Sequence, residues 1–553
     1  MVLDQLPTQD QVWDLCIVGA GTVGLGLATE CERLGFDVLL LESGGSEVDP
    51  KPTNDSDAVV VNPQHHDPMG MTVRRALGGT SWLWPGRCVP FNTIDFIPRD
   101  FVPGSDWPIG YEDIKPWYKP ACEYLQAGST FQIPFSRELG SGLTVDFLEQ
   151  WTKDPRMASV YRERLQKSER IKVSLRSTVI DLDLGEQGRS VEALMVATDR
   201  GNVRVKARRV VFATGGVEAT RLLLAVQRRW PDHFGGTDGP LGRYYMGHMS
   251  GTVATLAFDN PNSSADYDFF RDASGSYCQR RFMLTWETQL ENKVLNTAFW
   301  LANPQFCDST HGSGLLSALF LALAFPPLGR RLRSEETRRM ELGAKPYRVG
   351  AHLFNVLRDA PRSVRDAYLV FYDRVFKKPK LPAYIFRNRG GRFKLRYHAE
   401  QVPNPNNRIT LTDELDRHGL PRVSIDFRFT EQDIRSIVDS HYLLDTALQA
   451  NEIGHLEYRY PSERLYDGVM EQSIDGHHQV GTTRMGDDPR DSVVDQNLTV
   501  HGVDNLYVVS TSVYRTDGQA NSTLPAVALA MRLANHLHCS VDNLDYVTQS
   551  MRV

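Results

Sequence analysis

The sequence predicts an α/β fold, α+β overall, made of two lobes, and three observations predict it. Residues 14–43 (DLCIVGAGTVGLGLATECERLGFDVLLLES) run from a short apolar segment through a Gly-rich turn and a helical stretch to a second apolar run, the pattern of a βαβ unit. Strand-like alternation returns over 171–184, 191–197 and 203–213, the last ending in ATGG and the helical EATRLLLAVQRR, so the chain re-enters the first sheet. Between about 251 and 474 the texture changes to aromatic-rich strands, an apolar segment and a basic helical stretch over 330–380, which marks a separate sheet-based lobe with insertions.

In chain order, the first strand is read over Leu15–Val18 and the helix after it from the apolar face of Val23, Leu27 and Leu34, ended by Gly35. From Pro50 to about Gly110 the chain is rich in Pro, Gly, Asn and Asp with scattered tryptophans, which predicts long ordered loops packed against something. The final stretch, 477–538, holds a Gly-rich turn, the strand NLYVVS, a second turn region and the helix LPAVALAMRLANHL. No internal repeat or low-complexity tract interrupts this order.

Composition excludes several classes. A hydrophobic share of 41% and a charged share of 24% are those of an ordinary globular chain, and 553 residues suffice for two lobes sharing an extensive core. A net charge of −6 gives no basic field for neutralising phosphates, so a nucleic-acid partner is not expected. Seven scattered cysteines with no C-x-x-C pair read as reduced core residues, and no metal site is expected. The opening MVLDQLPTQDQVWD has no long apolar run, so no secretory signal is expected and the cytoplasm is the expected compartment. Leu315 to Phe325 (LLSALFLALAF) is almost wholly apolar, too short to span a bilayer, and followed by Arg330, Arg331 and Arg333. It reads as a buried helix, a dimer contact, or an in-plane membrane or acceptor-docking surface.

Gly19, Gly21 and Gly24 form G-x-G-x-x-G directly after a strand and at the start of a helix. Missing Cβ atoms there let the backbone approach a pyrophosphate, whose charge the helix N-terminus attracts. Glu42, ending the next strand, can bond a ribose 2′-hydroxyl and would repel a 2′-phosphate, which points to NAD or the adenosine half of FAD and away from NADP. No second fingerprint with its own βαβ context follows, so one dinucleotide is expected.

Together the opening unit, LGGTSWLWPGR (77–87), DWPIGYEDIKPWY (106–118), VVFATGGVEATRLLL (210–224), HHQVGTTRMG (477–486) and DGQANSTLPAVALAMRLA (517–534) resemble the glucose-methanol-choline (GMC) oxidoreductases. The short spacing and DFRFTEQD (426–433) look most like the pyranose-oxidase and bacterial sugar-dehydrogenase branch. The resemblance implies a Rossmann-like FAD lobe of the p-hydroxybenzoate-hydroxylase type with a sheet-based substrate lobe. The FAD lobe is expected over 1–130, 170–250 and 475–553, and the substrate lobe over 131–169 and 251–474. It implies oxidation of an alcohol group of a sugar, glycoside or polyol to a carbonyl, with His478 of H-x-x-G-T as base and Asn521 of A-N-x-T beside it; His477 is the competitor. A neutral imidazole titrates in the useful range, and an amide can hold the substrate oxygen without taking its proton.

Carried over by position, Gly79, Thr80 and Ser81 are expected near the flavin, Val179 near the adenine, Thr214 and Gly215 near the pyrophosphate, and Ser510, Thr511 and Thr523 near the ring and ribityl chain. Some relatives attach the flavin through a histidine after the G-G-x-S turn; here Trp82, Leu83 and Trp84 follow, and non-covalent FAD is expected. Two departures are Ser522 in place of the usual proline and Tyr514-Arg515-Thr516 in place of F-P-T. Tyr514 and Arg515 are read as narrowing the pocket or binding an anionic group, against the plainer reading of Arg515 as a solvated turn residue. Arg396, Tyr397, His398 and Gln401 read equally as facing the flavin or as a plain sheet edge. Oxygen, a quinone or a protein stay open as electron acceptors, and a redox-silent lyase or a flavin-binding protein without turnover on the same scaffold are the competing functions.

Overall fold

The structure is a computed structural model that describes residues 2–3, 6, 11–50, 54–332, 342 and 346–550. Arg333 of the basic group lies outside the described residues.

β1 (Val12–Val18) turns at the Gly-rich loop into α1 (Thr22–Arg33), and the chain returns as β2 (Val38–Leu41). Leu15, Cys16, Ile17 and all of β2 are fully buried, as expected of parallel strands covered on both faces. The irregular stretch that follows carries β3 (Arg87–Cys88), and α2 (Tyr111–Leu125) and β4 (Leu148–Trp151) come after it. The strand pattern of 171–184 is two strands, β5 (Ile171–Ser174) and β6 (Thr178–Leu184), because the backbone turns left-handed at Arg176 (φ 51°). β7 (Val191–Thr198), β8 (Gly201–Phe212) and α3 (Gly216–Gln227) complete this half. Then come β9 (Met249–Phe258), β10 (Thr297–Ala302), α4 (Gly314–Ala324), α5 (Val349–Arg358), α6 (Ala360–Val375) and β11 (Arg392–Ala399). α7 (Glu431–Ala450), β12 (Gly454–Tyr458), β13 (Leu506–Val508) and α8 (Thr523–Ser550) end the chain.

One sheet has the strand order β5-β2-β1-β8, with β13 also on β8 and every one of these pairs parallel. The first half of the long β8 leaves this layer to pair antiparallel with β7, which pairs with β6. α1 and α2 pack against α8 on this sheet. A second, six-stranded antiparallel sheet runs β12-β9-β11-β10 and on to Phe282–Leu284 and Leu143–Thr144. β11 therefore lies inside a sheet, which sets aside the sheet-edge reading of Arg396–Gln401. A four-stranded sheet joins Phe270–Arg271, Tyr277–Arg280, β4 and β3 beside it.

α4 holds the apolar segment and turns Leu316, Phe320 and Leu323 inward. It packs against α5 and α6, whose polarity is inverted: α5 buries His352 and Asn355 while Leu357 is 78% exposed, and on α6 Val364 is 70% exposed. Among the described residues no helix is long and apolar enough to cross a membrane. Cys307 is half-buried and Cys539 exposed, so these two of the seven free cysteines are not core residues.

Candidate functional site

Where the carboxyl ends of β1, β2 and β8 meet, the structure forms a cavity of about 540 Å³. That is the place where open α/β sheets bind ligands. Gly19, Gly21, Glu42, Gly79, Thr80, Ser81, Val179, Thr214, Gly215, Ser510, Thr511 and Thr523 line it, and so do His478 and Asn521. Gly24 lies beneath the lining. A Cβ on Gly24 would come 1.9 Å from the Gly19 carbonyl oxygen, so it is a close-packing glycine of the strand–helix turn. Gly19 has φ 100°, and a Cβ there would meet the Ala213 carbonyl oxygen at 2.6 Å.

Glu42 clamps this turn: its carboxylate accepts hydrogen bonds from the Ala20 and Gly44 amides at 3.0 and 2.8 Å. Burial raises its pKa, against the pull of those two amides and of Arg75. Ser81 Oγ, Thr214 Oγ1, Asn521 Oδ1 and Ser522 Oγ are buried and have no hydrogen-bond partner among the described residues. The hydroxyls, pyrophosphate and ring edge of a dinucleotide would satisfy such atoms, so the lining fits FAD.

At one end of the cavity, His478 Nδ1 lies 2.8 Å from Asp475 Oδ2. A carboxylate can only accept here, so Nδ1 carries the proton and Nε2 is the basic nitrogen. Burial opposes charging of this ring, but the Asp475 carboxylate outweighs it and raises the His478 pKa above its ordinary value. Asp475 is itself held by four backbone amides: Oδ1 accepts from Gly476, His477 and His478, and Oδ2 from His248. His477 also lines the cavity, but its side chain is 48% exposed and its nearest carboxylate, Asp67, is 3.8 Å away.

Against His478 pack two buried imidazoles, His248 at 4.6 Å and His398 at 5.4 Å between ring centroids. Burial lowers both pKa values, that of His248 to about 3, so they stand neutral beside it. The three rings present nitrogens within 4.8 Å of one another. Tetrahedral ligation needs lone pairs converging to roughly 3.4 Å apart. His248 and His398 are stacked at 4.1 Å with planes 22° apart, so their in-plane lone pairs run side by side, and His478 Nδ1 is taken by Asp475. This arrangement suits a wall of neutral rings better than a chelate.

Sequence reasoning missed Asp475, although it stands in SIDGHH, where a carboxylate three residues before a histidine in a Gly turn is a legible signal. It also missed Arg87 and Arg75, which line the cavity, and His248, which no local pattern marks. Two expectations are corrected. Tyr514 does not narrow the pocket: it is fully buried against Phe91 and Trp107, and its hydroxyl donates to the Ser522 carbonyl at 2.7 Å. Arg515 is neither solvated nor free for an anion, because it is buried and bound to Asp491 at 2.8 Å and to the Met485 carbonyl.

Residues 403–530 match the family model described as GMC oxidoreductase. Over these residues the chain is similar to the GMC oxidoreductases. Among curated relatives of this chain are the fructose dehydrogenase large subunit of Gluconobacter japonicus, 22% identical over 94% of this chain and 97% of that one, and paromamine 6'-oxidase of Streptomyces fradiae, 23% identical over 95% and 91%. The solved structure of pyridoxine 4-oxidase from Mesorbium loti shares the fold with a TM-score of 0.53 at 17% identity, over 95% of this chain and 99% of that one. With these likenesses the protein is read as an oxidoreductase acting on CH–OH donors, and the cavity described above fits FAD.

Proposed function

We propose that this protein oxidises an alcohol carbon of a sugar, glycoside or polyol to a carbonyl, with His478 as the base. The observation that carries this reading is the buried Asp475 on His478 Nδ1, which leaves Nε2 as a base in the cavity that also holds Asn521. When bound, FAD supplies the two-electron acceptor that takes hydride from the carbinol carbon at N5. Glu42 and Val179 would hold its adenosine half, and Gly19, Gly21, Thr214 and Gly215 its pyrophosphate. Gly79, Thr80, Ser81, Ser510, Thr511 and Thr523 would hold the ring and ribityl chain, without a covalent link.

His478 Nε2 accepts the hydroxyl proton as the carbon–oxygen double bond forms, and Asp475 stabilises the imidazolium that results. The Asn521 amide holds the substrate oxygen and orients the C–H bond. His248 and His398, kept neutral by burial, add no competing charge next to the base. The names of the relatives, which refer to fructose and paromamine, support a hydroxylated ring or polyol as substrate. The reading includes the lobe boundaries and the cytoplasmic location expected from the sequence. Contact with a membrane or a second copy stays with 315–325, where Leu316, Phe320 and Leu323 are buried but Phe325 is 60% exposed.

The test is anaerobic bleaching of the flavin band against sugars, glycosides and simple alcohols. Bleaching by one class, lost in His478→Ala with the flavin retained, is the expected result. Bleaching by dithionite and by no alcohol would bring the lyase reading forward.

A further inference from the structure

Beside the His478 end of the cavity, the four-stranded sheet meets the six-stranded one, and three arginines gather around one indole. The guanidinium carbons of Arg87, Arg281 and Arg396 lie 3.9, 5.4 and 5.7 Å from the Trp300 ring centroid. Arg87 comes from β3 and Arg281 directly follows Tyr277–Arg280, while Trp300 on β10 is paired in register with Arg396 on β11. Among the described residues, the carboxylate ion-paired with this group is Glu149 alone, which contacts Arg87 and lies 3.4 Å from Arg281 Nε. Three guanidiniums against one carboxylate leave two positive charges uncompensated. Arg87 and Arg281 are buried; Arg87 Nη2 and Arg281 Nε face Glu149, Arg281 Nη1 donates to Gln519 Oε1, and Arg87 Nε and Arg281 Nη2 make no hydrogen bond among the described residues. The Arg396 side chain is exposed and makes no hydrogen bond or ion pair among the described residues. Burial and the neighbouring Arg87 pull the Arg281 pKa down to about 9, the signature of cations crowded without enough counter-charge.

Buried unpaired cations are costly, and a guanidinium fork matches the two oxygens of an oxyanion. We infer that Arg87, Arg281 and Arg396 around Trp300 form a subsite for an oxyanionic group, a carboxylate or phosphate, carried by the substrate. Arg87 lines the cavity that His478 lines, so one molecule can place its anionic group here and its reacting carbinol at His478. His398 stands two residues from Arg396 on the same face of β11, with its ring 5.4 Å from that of His478, so β11 joins the arginine cluster to the base. The substrate class is then an acidic sugar or sugar phosphate; this rests on the alcohol-oxidation reading above.

The experiment is calorimetric titration of the FAD-loaded protein at low salt with glucuronate, glucose 6-phosphate and glucose, together with anaerobic bleaching on the same samples. At least one of the two acids should bind about tenfold or more tightly than glucose, and which one does so separates a carboxylate from a phosphate subsite. Arg396→Ala, at an exposed unpaired position where folding is not at stake, should weaken the acid about tenfold or more and leave glucose unchanged. Glucose binding as tightly as both acids, no binding of either acid, or an Arg396→Ala protein with unaltered affinity overturns the subsite. Acid binding that depends on Arg396, with no compound bleaching the flavin, supports the subsite and counts against alcohol oxidation instead.

Discussion

Asp475 Oδ2 accepts the Nδ1 proton of His478 at 2.8 Å, and the same carboxylate is pinned by the amides of Gly476 and His477 at 2.7 and 2.9 Å. The ring is thereby fixed in one tautomer and one orientation. Because the carboxylate is what raises the His478 pKa against burial, its removal leaves only burial, which lowers it. In Asp475→Asn the acid limb of the pH profile of kcat/KM should move to lower pH, while kcat falls roughly ten- to a hundredfold as the ring loses its orientation. Steady-state rates across pH check both, and an acid limb that stays in place would show that Asp475 does not act on the base.

Gly24 and Gly21 should separate packing from ligand approach. A Cβ on Gly24 would sit 1.9 Å from the Gly19 carbonyl oxygen, whereas one on Gly21 would have as its nearest neighbour the Gly79 Cα at 3.9 Å. Gly24→Ala should destabilise the apoprotein by about 1–3 kcal/mol or more, as overpacking does. Gly21→Ala should leave apoprotein stability nearly intact and lower only flavin content. Thermal melts and the flavin-to-protein absorbance ratio are the measurements, and equal loss of apoprotein stability in both would contradict this division.

Arg99 and Glu400 form a two-pronged ion pair at 2.7 and 2.6 Å with both side chains fully buried. It ties the loop before α2 to the end of β11, and burial with the adjacent Glu400 pushes Asp95 nearby up to about 7. Arg99→Met removes the cation and leaves Glu400 buried without it, for a loss of about 3–5 kcal/mol. Denaturant unfolding of the two proteins measures the difference; a loss under about 1 kcal/mol would mean that Glu400 finds other compensation.

Trp82, Leu83 and Trp84 follow the Gly79–Ser81 turn where a flavin-linking histidine would stand. Acid precipitation should therefore leave the yellow colour in the supernatant. Colour retained in the washed pellet would establish a covalent link.

Much of the site was legible in the chain because it is built from short turns whose geometry the local residues dictate. The fingerprint glycines, Glu42, the Gly79–Ser81 turn and the His478 and Asn521 motifs all come to one cavity, with Gly24 just beneath it. A left-handed or close-packed position admits few residue types, so the residue type betrays the position. Asp475 was legible on the same grounds and was passed over. The apolar run at 315–325 marked a helix, but which helices would turn their apolar faces outward was not written in it.

What the sequence determined by itself is a nucleotide-binding βαβ unit, a cavity lined from both ends of the chain, and a histidine and an asparagine at its edge. The tertiary structure alone decided that His248 and His398 wall in His478, and that Arg87, Arg281 and Arg396 gather on Trp300. Those residues come from distant parts of the chain, and a slip of one residue in the register of β11 would turn Arg396 and His398 to the opposite face. Their meeting depends on long-range pairing, Trp300 with Arg396 and Ala298 with His398, that no local pattern encodes.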